Sequence, residues 1–199
     1  MNILLFGGAF DPPHLGHQLV IEPAFELLPE IDELWLLPCY RHTFDKSLTP
    51  APHRLAMCRL LIQHLSSTIN HRLRLCPIEI EHQTGGSTYQ TWQLLHQESL
   101  DITFSFLIGS DQLASFPKWG YYQLLLKAMP FYVYPRADYP MTPLLPGMTA
   151  LSSPTQIITN ISSSLIKTRL RQKLSVTTLL LKTINRYIQL HDLYSDSHF

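Results

Sequence analysis

The sequence has no excess of charge of either sign. Lys and Arg number 15, Asp and Glu number 15, and only 15% of its 199 residues are charged. That balance removes the long-range attraction to a polyanion on which nucleic-acid coat proteins depend, so no nucleic-acid partner is expected. No stretch approaches the length needed to span a bilayer, and Met1 leads into a charge-free, strand-like run rather than a basic region followed by a long apolar one. No membrane partner is expected, and a cytoplasmic location is the default. The three cysteines, Cys39, Cys58 and Cys76, form no C-x-x-C pair and lack zinc-site spacing, so they read as reduced, semi-buried thiols. Internal repeats and low-complexity tracts are also missing. Neither G-x-G-x-x-G nor a Gly-Lys-Ser/Thr P-loop occurs, which leaves a dinucleotide fingerprint and a kinase-type phosphate cradle without support.

What is present is an ordinary globular composition, 45% hydrophobic, on a chain long enough to bury a real core as one domain over residues 1–199. Strand-like and helix-like patterns alternate. Asn2 to Phe6 reads as a strand, Leu15 to Leu28 as a helix and Glu33 to Leu37 as a second strand. Arg54 to Leu65 is amphipathic, Arg72 to Ile80 holds strand-like pieces interrupted by Pro77, and Thr88 to His96 can form a helix. Ile102 to Ile108 reads as a central buried strand, followed by short helical pieces over Asp111 to Phe116 and Tyr121 to Lys127, and by the strand Phe131 to Tyr134. Five prolines between Pro135 and Pro154 mark a long irregular connection, and Ser162 to Gln172 and Thr177 to Gln189 are the closing helices of a C-terminal helical segment over residues 160–195. The expected architecture is α/β, a Rossmann-like open parallel sheet with helices on both faces.

FGGAFDPPHLGH, from Phe6 to His17, concentrates three glycines, an acidic residue, two prolines and two histidines directly after the first strand. A strand ending in Gly7-Gly8 and feeding a helix presents unencumbered backbone N–H groups near a helix N-terminus, where the dipole and the orphan donors both favour an anion. Pro12-Pro13 stiffens the loop. Gly16 leaves room for a ligand or another backbone between His14 and His17, whose imidazole or imidazolium N–H groups can donate to phosphate oxygens. A capping histidine beside a surface one is the plainer alternative; a metal pair is another, though the sequence places no third ligand.

These residues resemble the signature of the H-x-G-H nucleotidyltransferase superfamily. The resemblance implies transfer of a nucleoside monophosphate from a triphosphate by direct in-line attack at the α-phosphorus, with pyrophosphate leaving and no covalent enzyme intermediate. NISSSLIKTRL, Asn160 to Leu170, is similar to that superfamily's second signature, a serine-rich turn opening a helix with a basic residue one turn in. Physically, Ser162, Ser163 and Ser164 offer hydroxyl and N–H groups at a helix start, and a cation at Lys167 can reach a phosphate placed there. Lysine stands where the nicotinate mononucleotide branch commonly has arginine, with Arg169 two positions on, so either can hold the triphosphate.

FLIGSDQLASFPKW, Phe106 to Trp119, resembles the nicotinate mononucleotide adenylyltransferases. The resemblance matches Gly109 and Asp111 to a nucleotide-contacting turn and Trp119 to a pyridine-stacking position. GGSTYQTWQLL retains two threonines of a Ser-Tyr-Thr-x-x-Thr-Leu pattern, Thr88 and Thr91, while Ser87 and Trp92 replace its tyrosine and leucine. The tail LLLKTINRYIQLHDLY also resembles that branch, with Asp192 in place of a glycine. Where a Pro-Pro-His-Lys stretch is common, this chain has Pro38, Cys39, Tyr40, Arg41, His42 and Lys46. Of these, Arg41, His42 and Lys46 are candidate contacts to acceptor phosphate or carboxylate, or solvated loop charges.

The resemblance thus implies ATP and nicotinate mononucleotide as substrates, Mg2+ accompanying ATP, and no metal site of the protein's own. It places His14 and His17 at the α-phosphate, Gly7, Gly8 and Phe10 against nucleotide, and Lys167 with Arg169 at the β- and γ-phosphates. Self-association into a homo-oligomer is compatible with the sequence. Two alternatives stand beside this reading: another phosphorylated acceptor such as phosphopantetheine, and a nucleotide-sensing module without turnover.

Overall fold

Asn2–Gly8 forms strand β1, and its side chains alternate between two cores. Leu4 and Phe6 enter one cluster, Ile3 and Leu5 the other, so the strand is buried on both faces, as a central parallel strand must be. It pairs in parallel with β2 (Glu33–Pro38) on one side and β4 (Thr103–Gly109) on the other. With β3 (Leu73–Leu75), β5 (Phe131–Tyr134) and β6 (Met148–Ala150) the sheet has six strands in the order β3-β2-β1-β4-β5-β6, every neighbouring pair parallel. The structure is a computed structural model and describes residues 1–41, 47–65, 69 and 71–195.

Helices cover both faces, giving the Rossmann-like α/β fold the alternating pattern implied. On the Leu4 side lie α1 (Leu15–Leu27) and α2 (Ala51–His64), which contribute Ile21 and Met57 to the core. On the Leu5 side lie α3 (Ile78–Glu81), α4 (Thr88–Glu98) and α5 (Tyr122–Ala128), with Ile78, Leu95 and Leu125 buried. The two last helices, α6 (Ser163–Arg171) and α7 (Lys182–Leu190), join the first face through Ile166, Ile184 and Ile188. The cysteines are free thiols, and burial pushes Cys58 up to about 12.

Three segments differ from the sequence reading. The proline-rich connection is not wholly irregular, because β6 adds an edge strand to β5 with Tyr132 opposite Thr149. Three residues are too short a run to show alternation, and the pairing comes from the sheet. The last helix starts at Lys182 rather than Thr177, since the Leu179 carbonyl accepts the Leu15 N–H at 3.0 Å and caps α1 instead of continuing its own helix. Pro77 ends the third strand early, and Ile78–Glu81 turns into helix where strand pieces were expected. Among the described residues no helix is long and apolar enough to cross a membrane.

Candidate active site

Successive strands leave β1 toward β2 and β3 on one side, whereas β4, β5 and β6 lie on the other. The connections at the carboxyl ends of β1 and β4 therefore splay apart and open a crevice. A cavity of about 350 Å³ lies there, lined by Gly7, Gly8, His14, His17, Gly109 and Asp111, and by Ser162, Ser163, Ser164 and Lys167 from the far end of the chain. The two signatures, nearly the whole sequence apart, face the same space.

The histidines owe their placement to the start of α1. His14 occupies the N-cap position and its backbone N–H donates to Nδ1 of His17 at 3.1 Å. That bond makes His17 Nδ1 the acceptor, so the proton of the neutral ring sits on Nε2, ready to donate to a ligand. The two rings lie 3.8 Å apart between centroids. A Cβ on Gly16 would sit 2.9 Å from the His14 ring, so the glycine is what lets that ring lie against the backbone. Phe10 has the left-handed φ of 48° and is 1% exposed. Its ring packs on His17 at 4.9 Å, behind the cavity wall rather than on it, which makes it a support for the histidine.

Both imidazoles are held neutral. Burial, the adjacent His17 and the Arg136 guanidinium keep His14 well below the ordinary histidine value. His17 is open in part to the cavity, yet burial among protein atoms and the same guanidinium lower it to about 3. Unfolded, both titrate near 6.5. Between that value and about 3 the unfolded chain binds more protons than the native one, so stability is full above 6.5 and is lost as pH falls through the window. Each histidine contributes a slope of at most about 1.4 kcal/mol per pH unit. Urea unfolding at pH 7, 6 and 5 should show that loss, and His17→Asn should flatten it. A variant that loses stability as steeply as the natural protein would overturn the role given to His17.

At the second signature Ser162 caps α6, its hydroxyl accepting from Leu165 N at 3.2 Å. Ser163 Oγ donates to the Pro12 carbonyl at 2.9 Å and ties the serine turn to the opening loop. Two of the three hydroxyls are thus already engaged, and Ser163 N–H, Ser164 N–H and the Ser164 hydroxyl are the donors this turn offers to an anion. Lys167 projects from the next turn onto the cavity, its Nζ 2.7 Å from Asp11 Oδ2. Arg169 is not among the lining residues; its Nε donates to the Ser175 carbonyl at 2.9 Å.

Asp11 and Arg136 are the site residues that the sequence reading did not single out. Arg136 follows β5 and lines the cavity. Its Nη2 donates to the Ile161 carbonyl at 2.7 Å, and its Nε lies 3.9 Å from Asp111 Oδ1. It thereby joins the Gly109–Asp111 turn to the residue preceding the serines. A Cβ on Gly109 would collide with the Asp111 carboxylate. The signal available was positional: Arg136 is the first charged residue past the carboxyl end of a buried parallel strand. Asp11 stood inside the quoted motif, but its partners are distant in sequence.

The remaining wall is aromatic and polar. Trp119 lines it, braced by Phe116 at 4.9 Å and by the edge of Phe106 at 6.4 Å. Thr88 lines it too, while Thr91 is buried behind, its hydroxyl donating to Glu79 Oε1 at 2.9 Å. Glu79 Oε2 accepts from Tyr40 N at 3.3 Å, so this carboxylate, raised by burial, shapes the loop that carries Arg41 into the lining. His42 and Lys46 lie outside the described residues.

Comparisons with known proteins identify the family. The profile of the cytidylyltransferase-like family matches residues 5–169. A Myxococcus xanthus protein named "Probable nicotinate-nucleotide adenylyltransferase" is 32% identical over 98% of this chain and 95% of its own. A Bacillus cytotoxicus protein of the same name is 33% identical over 97% and 98%. Among solved structures, the Plasmodium falciparum nicotinic acid mononucleotide adenylyltransferase complexed with NaAD superposes with a TM-score of 0.86 at 26% identity, over 97% of each chain. The chain belongs to the cytidylyltransferase-like family and, within it, to the nicotinate-nucleotide adenylyltransferases.

Proposed function

We propose that this chain, acting as a single nucleotidyltransferase domain, transfers the adenylyl group of ATP to nicotinate mononucleotide, giving deamido-NAD and pyrophosphate. The observation that carries the reading is the convergence on one cavity of the neutral His14 and His17 pair, the α6 N-terminus and Lys167. A phosphate oxygen of the acceptor attacks the α-phosphorus in line, the bond to the β-phosphate oxygen breaks, and pyrophosphate departs with that electron pair. Such transfers need positioning and charge neutralisation more than covalent help from the protein. His17 Nε2–H donates to an α-phosphate oxygen, and His14 lies beside it. Lys167, with the N–H groups of Ser163 and Ser164, takes the β- and γ-phosphates. Lys167 rather than Arg169 has this role, because Arg169 is engaged with Ser175 away from the lining. Gly7 and Gly8 allow close approach of nucleotide, and Asp111, aimed by Arg136, meets polar groups of the nucleoside.

Mg2+ accompanying ATP would supply further charge neutralisation on the phosphate oxygens. The described residues contain no group of three or more His, Cys, Asp or Glu side chains that could hold an ion. The Asp11 oxygens are also occupied by Lys167, Thr49 and Tyr194. The phosphate oxygens of ATP would hold the ion, since the Asp11 carboxylate is committed to its own three donors. Such a reaction on soluble metabolites suits a cytoplasmic protein.

Trp119, Thr88 and Arg41 form the acceptor side, the indole offering a stacking surface for a pyridine ring. Pyrophosphate release with ATP and Mg2+ should be fastest for nicotinate mononucleotide when it is compared with nicotinamide mononucleotide and phosphopantetheine. Trp119→Ala should raise the acceptor KM about tenfold, the loss expected for an aromatic stack, and leave the ATP KM within about twofold. Preference for phosphopantetheine would overturn the acceptor, and ATP binding without turnover for any acceptor would make the chain a nucleotide sensor.

A further inference from the structure

We propose that Asp11 and Tyr194 are positioning residues for the Lys167 ammonium, so that the C-terminal turn governs how tightly the cavity holds the triphosphate of ATP. The proposal rests on the role given to Lys167 above. Asp11 is 1% exposed and its carboxylate is shared by three parts of the chain. Oδ1 accepts from the Tyr194 hydroxyl at 2.7 Å, and Oδ2 accepts from Lys167 Nζ at 2.7 Å and from Thr49 N at 3.2 Å. Burial alone would raise this carboxyl, yet Lys167, Thr49 and Tyr194 together hold it below its ordinary value. It is therefore an anion fixed in one orientation, with donors on both oxygens.

Lys167 is where that orientation is felt. Its side chain is 18% exposed, and of its three N–H donors one is given to Asp11. A free lysine is a point charge on a flexible four-carbon stem. Anchored on Asp11, the ammonium keeps its other donors for a phosphate at one defined place. Tyr194 touches both partners, since its ring centroid lies 5.7 Å from Lys167 Nζ. The turn that delivers it adopts a left-handed φ of 66° at Tyr194, an unfavourable conformation for a tyrosine, which the buried ring and its hydrogen bond hold in place. Without the hydroxyl, Asp11 Oδ1 loses the donor it has among the described residues, the carboxylate is freer to rotate, and the ammonium follows it.

ATP dissociation constants in the presence of Mg2+, measured by calorimetry on the full chain, test this directly. Tyr194→Phe keeps the ring and should weaken ATP about fivefold to twentyfold, less than the full worth of a hydrogen bond to a charged group because the loss reaches ATP only through Lys167. Lys167→Met should weaken it further. The double variant should bind no worse than Lys167→Met alone, because Tyr194 acts through that lysine. An unchanged Kd in Tyr194→Phe, even with a lowered thermal midpoint, would leave Tyr194 a purely structural residue and overturn the proposal. Losses that multiply in the double variant would overturn it too. If Tyr194→Phe does not fold, Asp11→Asn carries the same cycle with the same expected signs. Wild-type protein that binds ATP but releases no pyrophosphate with nicotinate mononucleotide defeats the acceptor reading and leaves these binding results standing. Normal turnover with an unchanged Kd in Tyr194→Phe defeats the positioning role alone.

Discussion

Replacing His17 by alanine is expected to lower kcat by about two to four orders of magnitude, the loss typical of one oriented charge-stabilising donor, while the fold persists. The size follows from how the ring is held. Its Nδ1 accepts the His14 N–H at 3.1 Å, its face rests on Phe10 at 4.9 Å, and it lies 3.8 Å from His14, so the Nε2 donor is aimed before substrate arrives. Because the ring is neutral, with its value lowered to about 3, it donates at neutral pH without needing a proton from solvent. The loss should appear in kcat, with the ATP KM changed little, since the stabilisation grows with charge in the transition state. His17→Asn, which keeps an N–H donor on a shorter side chain, should recover part of it. Single-turnover pyrophosphate release measures both, and an alanine variant within about threefold of wild type would remove His17 from the chemistry.

Arg54→Ala should be the most damaging substitution for stability, at about 3 to 5 kcal/mol. Arg54 is 1% exposed, and its guanidinium binds two backbone carbonyls, Thr49 O at 2.9 Å through Nε and Ala9 O at 3.0 Å through Nη1. Those carbonyls belong to the loop that carries Asp11 and to the segment that gives Thr49 N to Asp11. Truncation takes the donor from both carbonyls, opens a large void, and removes a cation that lies near Cys39, Glu79 and Tyr194. Arg54→Lys should recover less than half, because one ammonium cannot span both carbonyls with the guanidinium's planar fork. Urea unfolding at pH 7 measures the loss; a drop below about 1 kcal/mol would show that water or a neighbour takes over those carbonyls.

Much of this was legible in the amino-acid order because the signals were local. The apolar runs of β1, β2, β4 and β5 mark buried parallel strands, and each structural strand lies within about two residues of its sequence signal. The serines before Leu165 mark a helix start, and Ser162 does cap it. What stayed hidden depends on contacts between distant positions. Arg54 reads as one more charge on an amphipathic helix, and only the fold shows that it faces Ala9 and Thr49. Arg136 reads as a loop cation until β5 is placed beside β4. The helix expected from Thr177 has suitable spacing, but the Leu179 carbonyl finds a better partner in Leu15.

The Asp11 cluster also sets a timetable. Its carboxylate meets Lys167 at a separation of 156 positions and Tyr194 at 183. At ribosomal speeds of about 5–20 residues per second, roughly ten seconds or more pass between synthesis of Asp11 and synthesis of its tyrosine. During that interval the opening strand can pair with β2, its helix can form, and Thr49 and Arg54 can hold the loop, but its bonds to Lys167 and Tyr194 are still missing. The nascent chain therefore acquires its architecture well before it acquires a finished site. Growing chains stalled before residue 194 should carry a sheet and an unset loop, and competence to grip a nucleotide should arrive as a late, separate event in the life of each molecule.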